Sequence, residues 1–302
     1  MLLVVVALFG GMARPAVAQD DAANALAWIP GDVMLFGMLD MTPLHHHPAL
    51  AELREWLEQG DADKGLDQFA EITGLDPRNN IEKVYVFGYP NDEGGAAIIE
   101  GSFDSGKART WLENQFWVKK ESASGCQMFQ WWDEKEKKEK AAIVDGAHRI
   151  IFGDPSAVRS SAEAKSDEKP SVESDSEQLR LWKEILNRPE GMLSVVVFPD
   201  PDAIKDETLK LLKEASLTVD MGDKLVVELI SGWTGADQAK AVADFALAAW
   251  NAHKELKIKP TQPELAELMN QVSISSSGTT ATLSMAIPVE LFANKIHDSI
   301  QK

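Results

Sequence analysis

Two tight-turn dipeptides constrain this chain more than anything else in it. Asp145-Gly146 separates the apolar runs 141–144 and 148–152, and Ser277-Gly278 separates 272–276 and 279–286. Glycine tolerates the left-handed backbone that a two-residue hairpin needs, so each pair of runs reads as an antiparallel hairpin. Similar elements precede both hairpins in the same order. In the first half, a strand over 33–39 lies between Gly31 and Pro43. Two helices follow, one carrying Leu50, Leu53 and Leu57 and the other Leu66, Phe69 and Ile72. A hairpin joins 81–88 to 96–103, and Asp104 or Ser105 then caps a helix with Ala108, Trp111, Leu112 and Phe116 on one side. An extra strand is expected over 127–132, and a short helix begins at Asp154-Pro155.

The second half repeats that series. A strand over 191–198 precedes a helix near 203–212, and 217–221 and 224–231 pair across Gly222-Asp223. Thr234-Gly235-Ala236-Asp237 reads as a capping box that starts a long helix bearing Val242, Phe245, Ala246, Ala249 and Trp250. A shorter helix follows Pro263, and Pro288 opens a last one. The expected fold is therefore α+β, with two tandem similar halves, each an antiparallel β-sheet with helices packed on one face. The halves span 28–159 and 178–302, related by an ancient duplication. Between them, 160–177 is rich in Ser, Glu, Asp and Lys and reads as an acidic, solvated linker.

The first residues set the compartment. Residues 2–9 are an apolar run too short to span a bilayer securely, and Ala16-Val17-Ala18 offers the small-residue pattern of a signal-peptidase site before Gln19. Residues 1–18 read as a signal peptide and 19–27 as a disordered, polar N-terminus, which implies a periplasmic or secreted protein. No Lys or Arg precedes the apolar run, so the true start is expected upstream of Met1. No later segment reaches the length of a membrane span.

With 48 acidic against 30 basic residues, the net charge is -18. Such a surface repels phosphate backbones, so no nucleic-acid partner is expected. The single cysteine, Cys126, has no partner for an internal disulfide and no basic neighbour to activate it, and reads as a small apolar strand residue.

Few clusters carry chemistry. His45-His46-His47 supplies imidazoles suited to zinc, nickel or copper. Three consecutive side chains diverge on any regular element, so a site there needs Asp40 or Glu52 as well. Asp61, Asp63 and Asp67 resemble part of a calcium loop, but Gly65, Leu66 and Ile72 stand where that loop wants an acid, a glycine and a glutamate. Trp131-Trp132 is the candidate contact surface. Neighbours in a strand face opposite ways, so one of the two is exposed unless both faces are covered. Residues 134–140 mix charges and read as a solvated hairpin tip. Trp28, Trp111, Trp233 and Trp250 have apolar neighbours and read as core. No nucleophile elbow, phosphate loop, dinucleotide fingerprint or metalloprotease motif is present; no catalytic residue is assigned and no cofactor is expected.

Three short stretches taken together resemble a loose group of uncharacterised bacterial proteins predicted to be exported. These are Trp28-Ile29-Pro30-Gly31-Asp32, Thr73-Gly74-Leu75-Asp76-Pro77 with Ile81 and Val84, and Gly101-Ser102-Phe103-Asp104. The resemblance spans mainly 28–116 and implies export and bacterial origin, but no activity. The reading from sequence is an exported, non-catalytic envelope protein whose partner is an unknown envelope protein or glycan. One alternative is an envelope-polymer hydrolase with carboxylates between the halves; the other is a metal-binding protein using the histidine tract.

Overall fold

A computed structural model describes residues 25–48, 73–89 apart from 77, 94–173, 191–199, 208–261 and 269–291, with 51, 67, 70–71 and 266–267. The chain divides into two compact units, Met1–Leu186 and Asn187–Lys302. The fold is α+β, with large antiparallel sheets and few helices among the described residues.

The N-terminal unit holds seven described strands: β1 (Leu35–Asp40), β2 (Ile81–Gly88), β3 (Gly95–Gly101), β4 (Lys119–Ala123), β5 (Cys126–Asp133), β6 (Lys138–Asp145) and β7 (Arg149–Gly153). All pair antiparallel, in the order β1-β2-β3-β7-β6-β5-β4. Between them lie α1 (Thr42–His46) and α2 (Ser105–Glu113), and α3 (Pro155–Lys165) follows β7. The Asp104 carboxylate caps α2, accepting from the amides of Gly106 at 2.9 Å and Lys107 at 3.0 Å. Pro155 opens α3, where a missing N–H costs nothing.

Side-chain alternation gives this sheet two apolar faces. On one, Ala108 and Leu112 of α2 pack with Phe129, Trp131, Ala142 and Val144. On the other lie the alternate residues Tyr85, Ile98, Met128, Ala141, Ile143 and Ile151, all buried. There α3 packs against β3, β6 and β7 and buries Ala157, Val158, Ser161 and Ala162. The expectation of helices on one face is thus corrected for this unit. Both of its faces are apolar, so both need cover. At Gly101 a side chain has no room, since a Cβ there would meet the Asn80 carbonyl oxygen at 1.7 Å.

The boundaries also shift. The linker expected at 160–177 is packed over its first part: α3 runs to Lys165, and Val172 is fully buried. The Val172 amide donates to the Ile29 carbonyl oxygen at 2.9 Å, and the Gly31 amide to that of Pro170 at 2.9 Å. The alternating small apolar residues of α3 outweigh the polar composition around them. Residues 174–177 lie outside the described residues, as does the signal segment 1–18. Of the N-terminal stretch 19–27 expected to be disordered, Ala25 and Leu26 are buried, and 19–24 lie outside the described residues.

The C-terminal unit has β8 (Gly191–Val197), β9 (Leu212–Met221), β10 (Lys224–Trp233), β11 (Val272–Ser277) and β12 (Thr280–Pro288), paired antiparallel in the order β8-β9-β10-β12-β11. The long helix α4 (Ala236–His253) packs on β10, β11 and β12, burying Ala239 and Ala243 beside Trp233 and Ala281. The helix expected near 203–212 is at most a short 3-10 turn in its described part, because Leu212 already begins β9. Gly235 rather than Thr234 caps α4, and no side chain bonds that cap.

Candidate functional site

The adjacent tryptophans part ways in β5. Trp131 is buried, its ring 6.3 Å from Trp111 and 5.8 Å from Phe152. Lys140 stands opposite it in β6 and lies over the Phe152 ring, with its ammonium 2.9 Å from the Glu136 carboxylate. Trp132 points to the other face, opposite Glu139, and is 38% exposed. The expectation of one buried and one exposed ring describes the pair.

Trp132 is not alone. Phe116 and Trp117 follow α2 and are 57% and 72% exposed, their rings 5.6 Å apart and at 70° to each other. The Trp132 amide donates to the Phe116 carbonyl oxygen at 3.4 Å and ties that segment to the strand. Together these rings border an open groove of about 440 Å³, which Trp131 also lines. Its polar lining comes from Lys119, Gln130, Glu134 and Glu139. The Gln130 amide donates to the Glu139 carboxylate at 2.7 Å, fixing both groups at the rim.

Phe116 was expected within the α2 helix, on one side with Ala108, Trp111 and Leu112. The helix ends at Glu113 instead, so Phe116 lies beyond its last turn. Trp117 has φ 58°, a conformation that costs a bulky side chain energy and survives only when its surroundings impose it. The signal available in the sequence was the pair of aromatics after Asn114-Gln115, a poor place to continue a buried helical face.

The turn beside the groove, expected as a solvated tip, is exposed over residues 134–139, and a carboxylate braces it. Asp133 accepts from the amides of Lys135 at 2.8 Å and Glu136 at 2.9 Å. Hydrogen bonds from the Glu136 and Lys135 amides hold the Asp133 carboxyl below its usual range. The hydrogen bond and charge of Lys140 do the same for Glu136. Cys126, at the far end of β5, is half-buried, and burial pushes its thiol up.

The histidine tract is split by its backbone. His45 is buried, His46 is exposed and His47 is half-buried, with the His45 and His46 rings 6.1 Å apart at 78°. Asp40, considered as a further ligand, accepts from the Thr42 amide at 2.8 Å and lies 3.9 Å from the Lys83 ammonium. Glu52 lies outside the described residues, as do Asp61 and Asp63. Asp67 accepts a hydrogen bond from Arg78. Among the described residues no three His, Cys, Asp or Glu side chains converge as a metal would need.

A separate charged cluster lies on the α3 face of the N-terminal sheet. Arg149 donates to Glu100 across the β3–β7 ladder, its Nε 3.1 Å from Oε1, and its Nη1 is 3.4 Å from Asp145 Oδ2. Both Glu100 and Arg149 are buried. Burial raises the Glu100 carboxyl above its usual value against the pull of Arg149, and burial beside Glu100 raises the Tyr85 hydroxyl. The cluster is closed and ties two core strands together.

No protein-family model matches the chain, and no curated protein matches it. Among solved structures it is similar to TP0453. In crystal form IV of that protein the TM-score is 0.46 at 8% identity, covering 90% of this chain and 96% of that one. In crystal form I the TM-score is 0.45 at 8% identity, covering 94% and 99%. No described helix is long and apolar enough to cross a membrane.

Proposed function

We propose that this chain is an exported, non-catalytic bacterial envelope protein that works by binding, through the groove bordered by Phe116, Trp117 and Trp132. The observation that carries the reading is the exposure of three large aromatic rings around one open concavity. Aromatic side chains held in water cost solubility, and contact surfaces are where that cost is offset. Export rests on residues 1–18 and on the resemblance to exported bacterial proteins over 28–116.

The proposal extends to the origin of the two units. Their strand orders, β1-β2-β3-β7-β6 and β8-β9-β10-β12-β11, correspond position by position, and α2 and α4 each follow the third strand. This correspondence supports an ancient duplication, with β4 and β5 as an addition to the first copy. The groove lies on that addition, where a new function could arise without disturbing the shared sheet.

The test has two parts. Expression of the full chain in a bacterial host, followed by fractionation and N-terminal sequencing, should recover a periplasmic or secreted protein beginning at Gln19. An uncleaved cytoplasmic product would overturn export. The mature protein, untagged and immobilised, should then retain a component of the host envelope extract that a Trp117→Ala/Trp132→Ala variant does not. Equal retention by both, or none by either, would overturn the groove as the binding surface.

A further inference from the structure

We infer that the groove at the β4–β5–β6 end of the N-terminal sheet binds a neutral glycan. The inference rests on the binding reading above and names its ligand class. A pyranose ring has two requirements of a protein surface. Its flat C–H face needs an exposed aromatic ring, and its equatorial hydroxyls need fixed acceptors and donors within reach of that ring. This groove supplies both.

The aromatic part is stepped rather than flat. Phe116 and Trp117 meet at 70° with centroids 5.6 Å apart, so a sugar stacked on the indole meets the Phe116 ring at its side. Trp132 offers a further surface from the strand, tied to the Phe116 segment through the 3.4 Å backbone hydrogen bond. The left-handed backbone at Trp117 holds the indole out in solvent, at 72% exposure. Such strain is retained where an outward side chain has a use.

The polar part is at the same rim. Glu139 stands directly across the β5–β6 ladder from Trp132, and Gln130 across the β4–β5 ladder from Lys119. The hydrogen bond between Gln130 and Glu139 uses one amide proton and one carboxylate lone pair, leaving the rest of both groups for hydroxyls. Glu134 and Lys119 complete the lining.

Charge and solvation decide against the other occupants. Two carboxylates line the groove against one ammonium, in a chain of net charge -18, which disfavours uronate, phosphate or sulfate polymers. Inserting the rings into a bilayer would carry Glu134 and Glu139 toward a medium that cannot solvate them. An apolar peptide anchor would cover the remaining donor and acceptor positions of Gln130 and Glu139 and offer them nothing to bond.

Isothermal titration of the mature chain, beginning at Gln19, with β-1,4-linked oligomers of glucose and of N-acetylglucosamine tests the inference. Polygalacturonate, phosphatidylcholine vesicles and an apolar helical peptide serve as comparison probes. The expected result is saturable binding of a neutral oligomer, with affinity lowered at least about tenfold by Trp117→Ala and by Trp132→Ala. Glu139→Ala is expected to weaken binding of the same oligomer, and unchanged far-UV circular dichroism and unfolding midpoint show that each variant is folded. Wild-type protein that binds neither oligomer at about 10 mM overturns the glycan assignment. Binding of the peptide or vesicles instead, lost in the tryptophan variants, also overturns it while leaving the binding reading in place. If the wild type binds no probe and the envelope retention above is also absent, both readings fall.

Discussion

Trp132 stands directly across from Glu139 in the β5–β6 ladder, one position along from the Trp131–Lys140 pair on the opposite face. That one-residue offset separates a core side chain from a surface one. Trp131→Ala should cost about 3–5 kcal/mol, because it empties a site packed by Trp111 and Phe152. Trp132→Ala should cost under about 1 kcal/mol, since its ring already meets water. Urea unfolding followed by circular dichroism checks both. Comparable losses in the two variants would mean that the two rings do not face opposite sides of the sheet.

The Glu100–Arg149 pair gives a pH-dependent prediction. Burial raises the folded-state Glu100 carboxyl above the ordinary value of 4.5, so the folded chain holds this proton more tightly than the unfolded chain. The group's contribution is therefore fully present below the ordinary value and is lost as pH rises through the higher folded one. Arg149→Met removes the strongest of the groups that oppose this shift, Lys83 and Tyr85 being the others, and leaves a buried carboxylate without its guanidinium at neutral pH. The expected cost is about 3–5 kcal/mol at pH 7, shrinking as pH falls to about 4 and Glu100 becomes neutral. Unfolding midpoints of wild type and variant at the two pH values measure the difference. A loss that does not change with pH would show that Glu100 is not the group responsible.

Much of the strand order was legible from turns, and the reason is physical. Asp145-Gly146 and Ser277-Gly278 sit at hairpin tips with glycine φ of 65° and 55°, a conformation that few other residues adopt without strain. Strand β4 was not legible, because Lys119, Lys120, Glu121 and Ser122 are all exposed at one end of the strand order and carry no apolar alternation. Its clue was Ser124-Gly125, with φ 46° and 81°, joining it to β5. The groove was half legible. Trp132 follows from strand alternation, whereas Phe116 and Trp117 depend on where α2 stops, and helix ends are weakly encoded. Gln130 and Glu139 come together only through strand register, which no local pattern states.

Cys126 should be slow to react. Burial is the larger of two influences raising its thiol, the other being the Asp145 carboxylate, and Lys165 opposes them. The thiolate is the reactive form, so alkylation by iodoacetamide at pH 7 should be slower than that of a free thiol of the ordinary value, 9.0. The rate should climb with pH and reach half its limit above that value. Mass spectrometry of timed, quenched samples follows the modification. A half-limit at or below the ordinary value would show that the strand environment does not disfavour the thiolate.

In sequence, helix α4 carries the apolar residues Val242, Phe245, Ala246, Ala249 and Trp250, yet Phe245 is 76% exposed and Ala243, outside that set, is 5% exposed. The helix meets β10, β11 and β12 through its small residues Ala239 and Ala243, which allow a close approach to Trp233 and Ala281. A phenylalanine on that side would hold helix and sheet apart, so the aromatic position turns outward. Phe245→Ser should therefore leave stability within about 0.5 kcal/mol of wild type, because little apolar surface returns to water. Ala243→Phe should cost about 1–3 kcal/mol or more by overpacking the contact. Paired urea titrations distinguish these outcomes. A large loss for Phe245→Ser with tolerance of Ala243→Phe would mean that α4 buries the side marked by its apolar spacing.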